Sequence, residues 1–162
     1  MADPSTGTPV VPRIASAHRV IAAPAAVIFD VLADPSRHPA IDGNNNLAGP
    51  TTGPRIRAVG EVFTADLTNG ATRENHVVEF EEGRRIAWLP SEPGSTPPGH
   101  LWRWEVEPVD ATSSRVVHTY DWTSLTDPNR VERARATTAD RLSPSLDRLA
   151  ALVEGGAPIG SE

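Results

Sequence analysis

The chain has 162 residues, of which 38% are apolar and 22% charged, so it suits one domain with a modest core and not a globally disordered chain. It contains no cysteine, which excludes a disulfide framework and cysteine-ligated metals. A net charge of -6 disfavours binding to the phosphate backbone of nucleic acids. All 15 basic residues are arginine, so chemistry that needs a lysine, such as Schiff-base formation, is excluded as well.

Both ends of the chain are rich in proline, glycine and small polar residues. We therefore expect disordered tails at 1–13 and 155–162 around one folded domain at 14–154. The first residues lack the basic start and apolar stretch of a secretion signal, and no run of about 18 apolar residues occurs. These features predict a cytoplasmic protein without stable membrane insertion.

The first elements are predicted from hydrophobic periodicity and proline positions. A strand is expected at 14–22, followed by a helix with Pro24 at its first position, where a missing N–H costs nothing. The Asp-Pro pair at 34–35 ends this helix, because a residue before proline avoids the helical conformation. One further short turn is expected at 35–41, and a polar, glycine- and proline-rich loop follows.

From Arg57 onward the apolar period changes to two, which is typical of strands. Strands are predicted at 63–67, 72–81, 85–89, 101–109 and 115–123. Asn69-Gly70 is a strong hairpin signal between the first two of them. Since neighbouring residues of a strand point to opposite faces, this alternation also predicts which side chains face the interior.

The last segment returns to helical spacing after Asp127-Pro128, an N-cap followed by a proline at the first helical position. One long helix is predicted at 128–154, kinked at Pro144 and ended by the glycines at 155–156. Its predicted inward stripe is Val131, Ala134, Thr138, Leu142 and Leu146. Its arginines are expected on a solvated face; they are Arg130, Arg133, Arg135 and Arg141.

This order of elements predicts an α+β fold. A curved antiparallel sheet of about six or seven strands would wrap around the long C-terminal helix, with two short helices after the first strand. A sheet that curls around a single helix leaves space between the two layers, so we expect a cavity there.

Several segments resemble the START-like (SRPBCC, helix-grip) superfamily, in particular its actinobacterial polyketide cyclase/dehydrase-type members. They are IAAPAAVIFDVLADP (21–35), SRHPAIDG (36–43), EGRRIAW (82–88), WRWEVEP (102–108) and HTYDW (118–122). The resemblance implies a helix-grip fold with an apolar cavity for a lipid, sterol, polyketide or similar hydrophobic molecule. No cofactor is predicted. Some members cyclise or dehydrate polyketides and others bind or carry a ligand, and the family has no invariant catalytic set to transfer.

Four polar residues fall on the predicted inner face of the strands: Glu74, His76, His118 and Tyr120. Burying such groups without partners costs about 2–7 kcal/mol each, so they are expected to bond to one another, to water or to a ligand. A carboxylate beside an imidazole is also an acid–base pair. If the protein is an enzyme, Glu74 or His76 is expected to act as the base and Tyr120 to donate a hydrogen bond to the oxyanion.

The rest of the predicted cavity wall is apolar. The candidate ligand-binding residues, besides the four polar ones, are Phe63, Trp88, Trp102, Trp104, Trp122, Ala134, Thr138 and Leu142. The small Ala134 and Thr138 would leave room for a ligand. The histidines show no HxH or HExxH spacing, so no metal site is predicted.

Three functions remain open on the sequence: a module that binds a hydrophobic small molecule, a cyclase/dehydratase-like enzyme, and an interaction protein with a filled cavity. For each of these polar and aromatic residues, the alternative is that the side chain only packs in the core and contacts no ligand. The oligomeric state is not predicted.

Overall fold

A computed structural model describes residues 13–44, 46–48 and 54–159. Residues 1–12 and 160–162 of the tails predicted at 1–13 and 155–162, and part of the loop after the second short helix, lie outside the described residues. The elements in chain order are β1 (Ile14–Ile21), α1 (Ala25–Leu32), a 3₁₀ turn (Pro35–Arg37), α2 (His38–Ile41), β2 (Val62–Asp66), β3 (Thr72–Glu81), β4 (Arg85–Ser91), β5 (Leu101–Asp110), β6 (Ser113–Asp121), α3 (Pro128–Arg135) and α4 (Ala139–Ile159). Pro24 is the N-cap of α1, one position before its predicted place.

The strands form one curved antiparallel sheet in the order β1-β6-β5-β4-β3-β2. This confirms the predicted α+β fold with six strands and two short helices after the first. The register brings the inward-facing aromatic positions side by side, since Trp102 lies opposite both Trp88 and Tyr120. Sheet twist then curls this aromatic face toward the helices.

The core lies between the inner face of the sheet and the helices. α4 packs on β1, β6 and α2, and α1 packs on β5. The largest fully buried side chains include Phe29 of α1, Trp122 after β6, and Leu142, Leu146 and Leu149 of α4. The stripe of leucines at helical spacing therefore fixes which face of α4 meets the sheet.

The C-terminal segment is two helices and not the single helix predicted at 128–154. α3 ends at Arg135, and α4 begins at Ala139. Between them the Thr137 hydroxyl donates to the Arg133 carbonyl oxygen, a side-chain bond that competes with helical geometry. Pro144 lies within α4, and α4 continues to Ile159 through the glycines that were predicted to end it, since glycine weakens a helix without breaking it.

Strand β3 contains an irregularity that alternation alone did not predict. Its register with β4 shifts between Val77 and Glu79. Val77 is buried, Val78 is exposed, and Phe80 returns to the inner face, where its ring centroid lies 5.6 Å from that of Phe29. A bulge reverses the inside–outside phase of the residues before it. The first half of β3 therefore has the phase opposite to the prediction.

Candidate functional site

A cavity of about 450 Å³ lies between the inner face of the sheet, helices α3 and α4, and the loop that follows α2. This volume falls in the range of about 300–1,000 Å³ that is typical of small-molecule sites. Exposed residues of the β2–β3 turn, Thr68 and Asn69, and Arg141 of α4 contribute to its lining. The cavity is therefore open to solvent on this side.

The aromatic wall of the cavity is formed by strand residues that the sequence predicted. Phe63 and Trp88 pack edge to face, with ring centroids 5.1 Å apart. The rings of Trp102 and Tyr120 lie 4.3 Å apart, and Trp104 continues the wall along β5. Such a surface offers apolar contact area together with indole N–H and phenol O–H groups that can orient a polar atom.

His118, which the sequence also placed on this face, is built into the wall. Its ring stacks between Trp104, at 3.7 Å, and Trp102, at 5.7 Å, and its Nδ1 lies 3.3 Å from the Arg103 carbonyl oxygen. Burial lowers the pKa of His118 to about 3. It is therefore a neutral packing group of the wall at ordinary pH.

His38 of α2 is a cavity residue that the sequence analysis missed. Its ring stacks on Trp88 at 5.3 Å and meets Phe63 edge to face, and its Nε2 lies 2.8 Å from the Leu32 carbonyl oxygen. Burial lowers its pKa despite that hydrogen bond. His38 ties α2 to the end of α1 and closes one end of the aromatic wall.

Glu74 and His76 do not line the cavity, contrary to the sequence expectation. His76 Nε2 lies 3.0 Å from Ser91 Oγ, and a Glu74 carboxylate oxygen accepts the Gly94 N–H at 3.1 Å. Both residues belong to the other face of β3, because the bulge at Val78 reverses the phase of this half of the strand. No acid–base pair of these two residues faces the cavity.

The same reversal brings Arg73 and Asn75 into the cavity lining. Asn75 is only 5% exposed, opposite Phe63 on β2 and Pro90 on β4. Within the described part of the chain, its side-chain amide has no hydrogen-bond partner. The amide is therefore available to hydrogen-bond to a ligand in the cavity.

Three of the predicted ligand-binding residues have other positions. Trp122 is buried in the core, with the Arg13 guanidinium 4.7 Å from its ring centroid. Ala134 is core as well, and Thr138 is exposed, whereas Thr137 lines the cavity. Because α3 ends before these residues, the threonine that faces the cavity is Thr137 and not Thr138 as a continuous helix would predict. Of the helix residues predicted to bind a ligand, Leu142 lies in the lining.

His100, just before β5, was not predicted. Its Nδ1 is buried without a hydrogen-bond partner, and its ring centroid lies 6.0 Å from that of Tyr120. Burial, helped by the charges of Arg130, Arg73 and Arg133, lowers the pKa of His100 to about 4. Burial raises the pKa of Tyr120 to about 12, so its hydroxyl keeps its proton and can donate a hydrogen bond.

Three of the four arginines predicted on a solvated helix face also line the cavity. They are Arg130, Arg133 and Arg141, whereas Arg135 pairs with Glu132 at 2.8 Å outside the cavity. The solvated-face prediction therefore holds for Arg133, Arg135 and Arg141, which are exposed, whereas Arg130 is half-buried. The prediction assumed one unbroken helix, whereas α3 and α4 each direct arginines to the mouth of the cavity.

Among the described residues, no group of three or more histidine, aspartate and glutamate side chains is placed to hold a metal ion. Nor does any helix in the described ranges combine the length and apolar character that crossing a bilayer requires.

A model of the family described as polyketide cyclase/dehydrase and lipid transport matches residues 13–154. Two curated relatives come from Mycobacterium tuberculosis and bear the names uncharacterized protein Rv0088 and uncharacterized protein MT0096. The first is 32% identical over 105 residues and the second 34% over 113; each match covers 63% of this chain and 44% of the relative. The chain thus spans less than half the length of these relatives.

Solved structures share the fold at low sequence identity. Protein MLL2253 of Mesorhizobium loti has a TM-score of 0.66 at 14% identity, covering 88% of this chain and 97% of that one. Protein Ms6760 of Mycobacterium smegmatis has a TM-score of 0.64 at 15% identity, covering 89% and 92%. DynU16, from the dynemicin biosynthetic locus, has a TM-score of 0.63 at 16% identity, covering 90% and 48%.

Proposed function

The chain belongs to the polyketide cyclase/dehydrase and lipid transport family, and we propose that it binds a hydrophobic small molecule of lipid, polyketide or aromatic type between the sheet and the C-terminal helices. The observation that carries this proposal is the open cavity of about 450 Å³. Its wall of Phe63, Trp88, Trp102 and Trp104 offers a ligand a broad apolar surface.

The apolar wall sets the scale of the affinity. Burying about 300 Å² of ligand surface at about 25 cal/mol per Å² is worth about 7.5 kcal/mol before the costs of association. Lost translational and rotational freedom removes several kcal/mol of this gain. The wall alone therefore supports a micromolar or weaker dissociation constant, and polar groups of the lining select among ligands.

The two other functions have less support. An interaction protein with a filled cavity does not agree with an open volume of this size. The hypothesis of a cyclase/dehydratase-like enzyme is weakened, because only Tyr120 of its three candidate catalytic residues lines the cavity, whereas Glu74 and His76 do not. Binding needs only the surface that the cavity presents.

The test is binding of N-phenyl-1-naphthylamine, a neutral apolar probe that fluoresces when it leaves water. We expect saturable binding to the wild type, with a dissociation constant in the micromolar range. Ala65→Phe adds a ring inside the cavity, since Ala65 is buried and belongs to the lining. This variant should weaken probe binding by about tenfold or more, because the probe and the new ring compete for the same volume.

Val62→Phe is the matched control, because Val62 lies on the same strand and is 46% exposed. It should leave binding unchanged. Thermal unfolding shows whether both variants are folded, and Ala65→Leu provides a smaller substitution if the larger one is not. Equal binding by wild type and a folded Ala65 variant would contradict the proposal.

A further inference from the structure

The cavity lining is electrostatically unlike the rest of the molecule. The chain carries a net charge of -6, yet the described lining contains four arginines and a single carboxylate, that of Asp42. The two oxygens of Asp42 accept the backbone N–H groups of Asn44 and Leu47, at 3.2 and 2.6 Å. That carboxylate is thus occupied by its own loop, and the lining has an excess of positive charge.

Three of the four arginines lack an acidic partner among the described residues. Arg130 pairs with Glu92 at 3.0 Å and with Asp127 at 3.6 Å. The Arg73 guanidinium donates to the carbonyl oxygen of the preceding residue at 3.1 Å. Within the described ranges, the guanidinium groups of Arg73, Arg133 and Arg141 contact no carboxylate, and Arg133 and Arg141 are exposed at the open side of the cavity. Their charges face the cavity without compensation.

Uncharged hydrogen-bonding groups without partners lie in the same lining. They are the Asn75 amide, the buried Nδ1 of His100 and the Tyr120 hydroxyl, none of which has a hydrogen-bond partner among the described residues. Each of them can donate a hydrogen bond, His100 in the tautomer that protonates Nδ1. The His100 Nδ1 atom is buried as well, and leaving it unpaired is unfavourable unless something else satisfies it.

These groups converge on one part of the cavity although they come from different elements. Arg73 of β3, Arg133 of α3 and His100 all belong to the lining, and the His100 ring lies 6.0 Å from Tyr120. Asn75 follows Arg73 on the same face of β3. Together they surround the cavity between β3 and α3, next to the tryptophan wall.

We propose that the ligand is an anionic amphiphile, whose carboxylate or phosphate group is bound by Arg73 and Arg133. Asn75, His100 and Tyr120 supply further hydrogen bonds, and the apolar part of the ligand lies along Trp88, Trp102 and Trp104. Guanidinium groups bind planar carboxylates and phosphates through paired hydrogen bonds. This inference rests on the proposed function, because it assigns a ligand class to the same cavity.

The test uses two fluorescent probes that differ by one anionic group. 8-Anilinonaphthalene-1-sulfonate is N-phenyl-1-naphthylamine with a sulfonate added. We expect the wild type to bind the sulfonate at least about tenfold more tightly than the neutral probe. Arg73→Gln and Arg133→Gln should each reduce this preference by about three- to tenfold, since each removes one charge-assisted contact.

Arg135→Gln is the matched control, because Arg135 is exposed on the same helix and pairs with Glu132 outside the cavity. It should keep the wild-type preference. The head group is then identified by displacing the neutral probe with dodecanoate, dodecyl phosphate and dodecanol. Stronger displacement by either anion than by the alcohol supports the inference and identifies the preferred group.

The outcomes separate the two proposals. If N-phenyl-1-naphthylamine does not bind, the proposed function fails. If it binds but the sulfonate is not preferred, or both arginine variants keep the preference, the anionic ligand is overturned while the apolar cavity stands. Equal displacement by dodecanol and both anions overturns it as well.

Discussion

His118 illustrates how a polar residue can be part of an aromatic wall. It is buried between Trp104 and Trp102 and makes one hydrogen bond, to the Arg103 carbonyl oxygen. Solvation of a charged imidazole is lost in this position, so folding favours the neutral form. The energetic consequence is a dependence of stability on pH.

We predict that His118 makes the protein less stable as the pH falls below about 6.5. The folded pKa is about 3 and the unfolded value 6.5, so the unfolded chain binds more protons between these limits. From about pH 7.5 to about pH 5.5, His118 should lower the free energy of unfolding by about 1 kcal/mol. Urea unfolding of wild type and His118→Phe at both pH values measures the difference.

The variant should show the smaller loss, and a residual dependence is expected because burial also lowers the pKa values of His38 and His100. His18→Gln, at an exposed position, should behave like the wild type. An identical pH dependence in wild type and His118→Phe would contradict this account.

Alternation predicted the wall residues wherever a strand was regular. On β5 and β6 it correctly placed Trp102, Trp104 and Tyr120 in the lining. Alternation failed on β3, where the bulge turns Asn75 toward the cavity and Glu74 away from it. The signal was present in the spacing of Val77 and Phe80, three residues apart, which an uninterrupted strand does not accommodate on one face.

At the scale of elements, the loop after α2 rests directly on α4. The Gly43 N–H donates to Ser145 Oγ at 3.1 Å. A Cβ atom on Gly43 would lie 2.5 Å from the Pro144 carbonyl carbon and from the Ser145 nitrogen. This close approach holds the neighbouring Asp42 and Asn44 in the cavity lining.

Gly43→Ala is therefore expected to destabilise the protein by about 1–3 kcal/mol, since a methyl group cannot be accommodated against the backbone of α4. Ser145→Ala removes only the hydrogen bond and should cost about 1 kcal/mol. Chemical unfolding of the two variants compares these effects. A loss for Gly43→Ala no larger than that for Ser145→Ala would show that the loop moves away freely.

The arrangement of helices could be predicted only in part. The Asp127 N-cap and the leucine stripe of α4 are local signals, and both agree with the structure. The interruption after Arg135 depends on a turn stabilised by Thr137, whose propensity is close to that of many helical residues. For this reason the cavity-facing position of Arg133 could not be derived from helical spacing.

For the whole molecule, the element order was sufficient to predict the fold. Short local strands in a meander followed by helical segments leave few ways to bury both apolar faces. The cavity volume was not predictable, because it depends on side-chain packing, on the interrupted helix and on the loop after α2. A difference of one side chain at each of these places decides between a packed core and an open site.

We predict that a bound probe stabilises the entire domain. N-phenyl-1-naphthylamine at about 100 times its dissociation constant should raise the free energy of unfolding by about 2.7 kcal/mol. For a domain of this size the midpoint of thermal unfolding should rise by roughly 5–10 °C. Ala65→Phe should show a much smaller rise at the same probe concentration, and an equal rise would place the probe elsewhere.

The positively charged groups that line the described cavity are arginines, and arginine side chains stay charged across the physiological range. The lining histidines are neutral there, since burial lowers the pKa of His100 to about 4, that of His118 to about 3, and that of His38 as well. The charge of the cavity lining is therefore constant in this range, and any change of affinity with pH must come from titration of the ligand. A carboxylate keeps one charge above about pH 5, whereas a phosphate monoester gains its second near about pH 6. Affinity measured across neutral pH would consequently distinguish the two head groups.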